Sequence, residues 1–146
     1  MAKLQDVVAL VLASAFGMTA FPAIAQHMNA KDAPCRAAAT TAQAAACFAR
    51  AHQDQELVLA KLLNRIRPAV EGDELSLLDR AQTAWLQYRR LSCDAEYAMY
   101  GGGTGGPVTR AACLEAFTRD RIVQLHKVYD WRVEKRERSV SHPQSG

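Results

Sequence analysis

Side chains of very different chemistry recur at helical spacing between residues 82 and 93. Trp85, Arg89 and Cys93 follow one another in steps of four, so in a helix they would share one side. An arginine in such a row has two chemical uses. It can stack on an aromatic ring as a packing contact, or it can hold the carboxylate or phosphate of a ligand. We favour packing, and keep Arg89 or Arg121 as the anchor of an anionic ligand as the alternative.

A second row with the same step lies further along the chain, at Cys113, Phe117, Arg121 and Leu125. If Cys93 is bonded to Cys113, the two helices run antiparallel from that bridge. Successive turns of about 5.4 Å then bring Arg89 level with Phe117 and Trp85 level with Arg121. The spacing therefore predicts a helical hairpin in which each arginine faces an aromatic ring.

The four cysteines are expected to form disulfides rather than a metal site. They are Cys35, Cys47, Cys93 and Cys113. Their spacings contain no C-x-x-C knuckle of the kind that binds zinc, so we expect no metal. Four cysteines allow three connectivities. Pairing neighbours along the chain would close two local structures, and we predict the bridges Cys35–Cys47 and Cys93–Cys113.

Residues 1–25 have the composition of a secretory signal peptide. An apolar run from Val7 to Phe21 is followed by Ala23 and Ala25, the small residues of an A-x-A cleavage site. The alternative is a retained anchor helix, but the run is shorter than the ~20 residues that span a bilayer. We expect cleavage before Gln26 and a periplasmic protein without a stable membrane anchor, in a compartment where disulfides form.

Three segments have helical periodicity and none resembles a strand. We predict helices over residues 41–67, over 73–100 with Asp73 as N-cap, and from Pro107 or Thr109 into the charged run that ends at Arg138. The predicted layout is a flexible lead at 26–34, a helical domain at 35–138 and a disordered tail at 139–146. The fold class is all-α, an antiparallel helical hairpin or small bundle held by two disulfides.

The order of these residues resembles a known family. The pattern consists of C-x11-C, then Q-x-x-W-x-x-Y-R-x-x-x-C, a glycine-rich loop and C-x4-T-x-x-R-x-x-x-L. It is similar to that of the LprI-like family of exported helical domains. This family is named for a lysozyme-inhibiting lipoprotein. Besides the cysteines, the matching positions are Gln82, Trp85, Tyr88, Arg89, Thr118, Arg121 and Leu125. The resemblance implies an all-helical, disulfide-bonded domain and a role in lysozyme inhibition.

The sequence offers no recognisable catalytic motif. The histidines stand singly, at His27, His52, His126 and His142, without H-E-x-x-H spacing. Neither a G-x-S-x-G elbow nor a phosphate-binding loop is present. A net charge of +3 is too small to indicate a nucleic-acid partner. We therefore expect a binding protein without a cofactor, and keep an undetected enzyme as an alternative.

The partner that the resemblance to the LprI-like family implies is a lysozyme-type cell-wall hydrolase. The candidate contact is the irregular segment between the second and third helices, which comprises Tyr100, Gly101, Gly102, Gly103, Thr104, Gly105 and Gly106. The acidic entrance of the second helix, residues 71–79, is the other possible site. An alternative function is a structural or envelope-stress module that binds an anionic envelope component through Arg132, Lys135, Arg136 and Arg138.

Overall fold

The structure is a computed structural model that describes residues 27–141. The predicted signal peptide, residues 1–25, lies outside the described residues. Three long helices dominate: α1 (Thr41–Ile66), α2 (Gly72–Ala98) and α3 (Gly105–Ser141). Two short 3-10 helices accompany them, His27–Asn29 before α1 and Arg67–Ala69 after it. The described part of the chain contains no strand, so the predicted all-α class is confirmed.

Helix α1 begins and ends where its sequence signals are strongest. The Thr40 hydroxyl oxygen accepts a hydrogen bond from the Gln43 amide at 3.2 Å, and the Gln43 side chain accepts one from the Ala39 amide at 3.1 Å. This reciprocal pairing resembles a capping box and satisfies amides that the first turn leaves unpaired. At the other end Pro68 cannot continue the α-helical hydrogen bonding, and the chain tightens into the second 3-10 helix.

Helix α2 begins at Gly72, one residue earlier than predicted. The cap position is held by Glu71, whose side chain makes no capping hydrogen bond, and Asp73 lies within the first turn. Gly72 has a φ of +55°, a left-handed conformation in which a side chain would be strained, so the turn depends on glycine at this position. Asp73 therefore complements the helix dipole instead of capping the helix.

Helix α3 is the central element because it packs against both other helices. Contacts from Cys93 to Cys113 and from Glu74 to Arg132 show that α2 and α3 run antiparallel. Helix α1 runs parallel to α3 and antiparallel to α2. The resulting three-helix bundle has one core that extends from its middle to the end where α1 connects to α2. This core is formed by Leu59, Leu62, Leu63, Ile66, Val70, Leu78, Ile122, Leu125 and Val133.

Both predicted disulfides are present. Cys93–Cys113 joins α2 to α3 with a Cα–Cα distance of 5.6 Å, and both cysteines are fully buried. Cys35–Cys47 ties the segment before α1 to its first turns with a Cα–Cα distance of 5.9 Å. A second, smaller core surrounds this bridge and contains Ala33, Phe48, Val108 and Ala112. The two bridges therefore hold the same end of the bundle.

Helix α3 continues to Ser141, three residues into the segment 139–146 that was predicted to be disordered. Its last turns carry ion pairs, Arg65–Glu137 to α1 and Glu134–Arg138 within the helix. These pairs are exposed and each contributes little, ~0–1 kcal/mol. No helix in residues 27–141 is long and apolar enough to cross a membrane.

Candidate functional site

One buried arginine, Arg89, is the centre of the contacts among the predicted rows of side chains on α2 and α3. Arg89 of α2 is only 8% exposed, and its Nη1 donates a hydrogen bond to the Thr118 hydroxyl of α3 at 2.6 Å. The same nitrogen donates to the Glu56 carboxylate of α1. Thr118 is fully buried and donates its own hydrogen to the Leu114 carbonyl at 2.7 Å. One guanidinium therefore connects all three helices.

Glu56 supplies the negative charge of this centre. The pKa of Glu56 is lowered to about 2, first by the adjacent His52 imidazole and then by the Arg89 guanidinium, which together outweigh the opposing effect of burial. His52 lies one turn before Glu56 on α1, with 3.2 Å between its Nε2 and the carboxylate. A carboxylate with so low a pKa is a poor proton donor or acceptor near neutral pH. It serves as a counter-ion.

Two guanidinium groups lie close to the Trp85 ring. The Cζ of Arg89 is 4.7 Å from its ring centroid, and the Cζ of Arg121 is 5.6 Å away on the α3 side. Arg121 Nε also donates to the Gln82 side chain at 3.2 Å, and Gln82 is buried. The expected contact of Trp85 with Arg121 across the hairpin is therefore present.

Phe117 has a different neighbour from the expected one. The turn count placed it opposite Arg89, but it packs against Tyr88, with ring centroids 5.6 Å apart, and against His27 at 5.8 Å. Tyr88 and Arg89 are adjacent in sequence and point about 100° apart around a helix of 3.6 residues per turn. Counting turns gives the height of a side chain along the axis but not its direction, and Arg89 turns inward while Tyr88 remains exposed.

The segment before α1 is attached to α3 by polar contacts. Asp32 pairs with Arg119, which also donates to the buried Glu115 at 3.1 Å. Burial acts to lower the pKa of Arg119, but its bonds to the two carboxylates raise it above the usual value. His27 lies 3.4 Å from Glu96 on α2. Residues 27–32 are thus in contact with both helices of the hairpin.

His27, Glu96 and Cys113 bring three potential metal-ligand atoms close together, but they do not form a metal centre. The Cys113 sulfur is bonded to Cys93 and has no thiolate to offer. One imidazole and one carboxylate remain, fewer than the three or four protein ligands of a zinc site.

The tip of the α2–α3 hairpin is compact at its base and exposed at its end. Gly101 and Gly102 have φ values of 53° and 83°, the left-handed region that glycine tolerates. A Cβ on Gly105 would lie 2.6 Å from the Tyr100 ring, so this ring rests directly on the glycine backbone. Residues 101–104 are exposed, and Met99 beside them is 69% exposed.

A family model described as lysozyme inhibitor LprI matches residues 35–125. The chain belongs to the LprI lysozyme inhibitor family. No curated protein and no solved structure gives a significant match. The LprI match contains both disulfides, the Arg89 centre and the hairpin tip, and it ends at the buried Leu125, before the charged end of α3.

Sequence reasoning missed the contribution of α1 to this LprI domain. Glu56 and His52 lie between Phe48 and Leu59 in the stripe that faces the core, at the same steps of three and four. Polar residues within an apolar stripe are a signal, because a charge at a buried position needs a partner. His52 and Glu56 are partly buried, and Glu115 on α3 is a fully buried example of the same kind.

Proposed function

We propose that the mature protein is exported and inhibits a lysozyme-type muramidase by binding it, without catalysing a reaction. The observation that carries the proposal is the match to the LprI lysozyme inhibitor family over residues 35–125. The chemistry of the Arg89 centre supports the non-catalytic part. Its carboxylate is held ionised between a guanidinium and an imidazole, and its hydroxyl is fully buried, so neither is available as an acid, base or nucleophile.

We propose the hairpin tip, residues 99–104, as the contact surface. Residues 101–104 are exposed and nearly without side chains, so their backbone can approach the floor of a narrow cleft. Met99 adds an exposed, adaptable apolar side chain next to them. Tyr100 is half-buried on Gly105 and can serve as the rigid aromatic base of the contact.

The Cys93–Cys113 bridge favours this assignment. It closes the hairpin a few residues behind the tip and connects two fully buried positions. A loop that is already ordered loses less conformational entropy on binding than a free one. Short-range contacts are needed here because the net charge of +3 gives no long-range attraction to a cationic enzyme.

The test is cell-wall lysis by several lysozyme classes with increasing amounts of the mature protein. At least one class should be slowed, and Met99→Ala, Tyr100→Ala and removal of Gly102 and Gly103 should each weaken inhibition. Leu57→Ala is the matched control, since Leu57 is 62% exposed on α1, away from the tip, and should leave inhibition unchanged.

Each alternative has a distinct outcome in this assay. If inhibition is unchanged in all three tip variants, the contact surface lies elsewhere, and residues 71–79 are the next candidate. No slowing of any lysozyme at micromolar protein would refute the inhibitor function. The envelope-binding module would then replace it, although Arg132 and Arg138 are already engaged by Glu74 and Glu134. Mass spectrometry of the exported protein tests the processing, with an N-terminus at Gln26 expected.

A further inference from the structure

An apolar groove runs between α2 and α3, and all of its lining residues come from these two helices. Its main part has a volume of about 460 Å³, within the range of small-molecule sites. The apolar walls are formed by Leu77, Leu78, Ala81, Leu125 and Val128. A second hollow of about 360 Å³ continues from it toward Trp85 and Phe117.

Arg121 lies where the two hollows meet and lines both. Its hydrogen bonds go to neutral groups, from Nε to Gln82 at 3.2 Å and from Nη1 to Gln124 at 2.6 Å. Among residues 27–141 no carboxylate forms an ion pair with it. The arginines around it differ, because Arg89, Arg119 and Arg132 each have an acidic partner.

The charge of Arg121 is thus poorly compensated. Burial lowers the pKa of Arg121, but a guanidinium stays protonated in proteins. A guanidinium has five N–H donors, and the two hydrogen bonds to Gln82 and Gln124 leave others for a planar carboxylate. A half-buried cation beside apolar walls therefore favours a ligand that brings both an anion and an apolar body.

We infer that this groove binds a single-chain amphiphile, with its carboxylate at Arg121 and its hydrocarbon chain along the apolar walls toward Tyr129. From Arg121 to Tyr129 the groove extends eight residues along α3, about 12 Å at 1.5 Å per residue, which suits a chain of medium length. Each hollow has one carboxylate in its lining. Glu74 of the main groove is paired with Arg132, beyond Tyr129 along α3, whereas Asp120 of the second hollow is next to Arg121 in sequence, so the chain lies in the main groove.

This site is separate from the proposed lysozyme contact. Ala81 on α2 precedes the tip by about 18 residues, or ~27 Å along the helix. Loss of one activity need not affect the other, and the two can be tested independently.

The test uses Trp85 as the reporter. The chain has two tryptophans, and Trp131 is 58% exposed on α3, so Trp131→Phe leaves Trp85, in contact with Arg121, as the only one. Decanoate is titrated into this variant below its micelle-forming concentration, with decanol as the uncharged comparison. Decanoate should change the Trp85 emission until the signal saturates. The affinity for decanol should be lower by a factor of about ten or more, which corresponds to the loss of one charge-assisted hydrogen bond.

Two further changes test the two ends of the ligand. Arg121→Met should weaken decanoate binding about tenfold or more while decanol binding is kept. Val128→Asp places a carboxylate in the half-exposed wall and should weaken both ligands without disturbing the core. Arg136→Met, an exposed position outside the groove, is the matched control and should change neither. All titrations are run below the melting temperature of each variant.

Several results would overturn the inference. Equal binding of decanoate and decanol would show adsorption to an apolar surface without an anion site. Unchanged decanoate binding in Arg121→Met or in Val128→Asp would place the ligand elsewhere. A signal that never saturates would show that there is no defined site.

Discussion

Arg89 donates a hydrogen bond to Thr118 at 2.6 Å across the α2–α3 interface, at a point where both residues are buried. The same guanidinium nitrogen bonds to Glu56, so one cation joins all three helices. Its Nε is buried with no hydrogen-bond partner in the described part of the chain, and the Trp85 ring lies 4.7 Å from its Cζ. The centre of the domain therefore depends on a polar contact as well as on apolar packing.

Arg89→Met should be strongly destabilising. Methionine keeps the length and apolar contact with Trp85 but leaves the Glu56 carboxylate and the Thr118 oxygen without their donor. Loss of one partner of such a pair should lower the free energy of unfolding by ~2–4 kcal/mol. Urea denaturation measures it, with Arg90→Met as the control at the exposed neighbouring position. Equal losses in the two variants would contradict a special role for Arg89.

Glu56 should make stability depend on pH in the acid range. Its pKa is about 2 in the folded protein and 4.5 for an unperturbed glutamate, so the carboxylate stabilises the folded state above pH 4.5. This contribution is lost as the pH falls from about 4.5 to about 2. Glu56→Gln should be less stable than the native protein at pH 7, and the difference should shrink over that window. The measurement is urea denaturation at a series of pH values.

The control for this pH series is Glu71→Gln, which changes an exposed glutamate at the start of α2. It should follow the pH dependence of the native protein. A constant difference between Glu56→Gln and the native protein from pH 7 to pH 2 would show that ionisation of Glu56 does not contribute.

Arg121→Met should be moderately destabilising. The change removes the cation that lies 5.6 Å from the Trp85 ring and leaves the buried Gln82 oxygen without its donor. The expected loss is ~1–2 kcal/mol, read as a lower melting temperature. Arg136→Met should melt like the native protein. An unchanged melting temperature in Arg121→Met together with a loss of ligand binding would mean that this arginine serves a ligand and not the fold.

Removing the Cys93–Cys113 bridge should affect both stability and inhibition. The chain-entropy model gives about 3 kcal/mol for a loop of this length, and the double change to alanine should show a loss of that order. The variant should also inhibit lysozyme less, because the tip is no longer held closed. Alanine at both Cys35 and Cys47 should reduce stability but leave the tip intact. Equal inhibition by the two variants would argue against a role for an ordered tip.

Features that depend on periodicity were predictable from the sequence. The apolar stripes gave the three helices to within a few residues, and the matching steps of the two rows gave the antiparallel register that brings Trp85 to Arg121. Both disulfides join neighbours along the chain, as a hairpin and a short lead require. Local rules suffice for these features.

Features that depend on direction around a helix axis were not predictable. The turn count could not say that Arg89 points at Thr118 and Glu56 while Phe117 meets Tyr88. The side of α3 on which α1 packs is a tertiary property, and only that packing brings the partly exposed Glu56 carboxylate to Arg89. The contact of the Tyr100 ring with Gly105 likewise depends on the backbone conformation of the tip, which a glycine-rich sequence does not determine.

The Cys93–Cys113 bridge also determines how the molecule responds to mechanical force. If the two ends of the chain are pulled apart, tension passes from α2 to α3 through the sulfur atoms and bypasses residues 94–112. The extension released by forced unfolding is therefore shorter than the chain length by that enclosed segment and by residues 36–46, which the Cys35–Cys47 bridge encloses in the same way. Force can unfold the helices as far as the bridge, but no force acts on the tip. Pulling on the two ends of the chain therefore does not extend the loop of the hairpin.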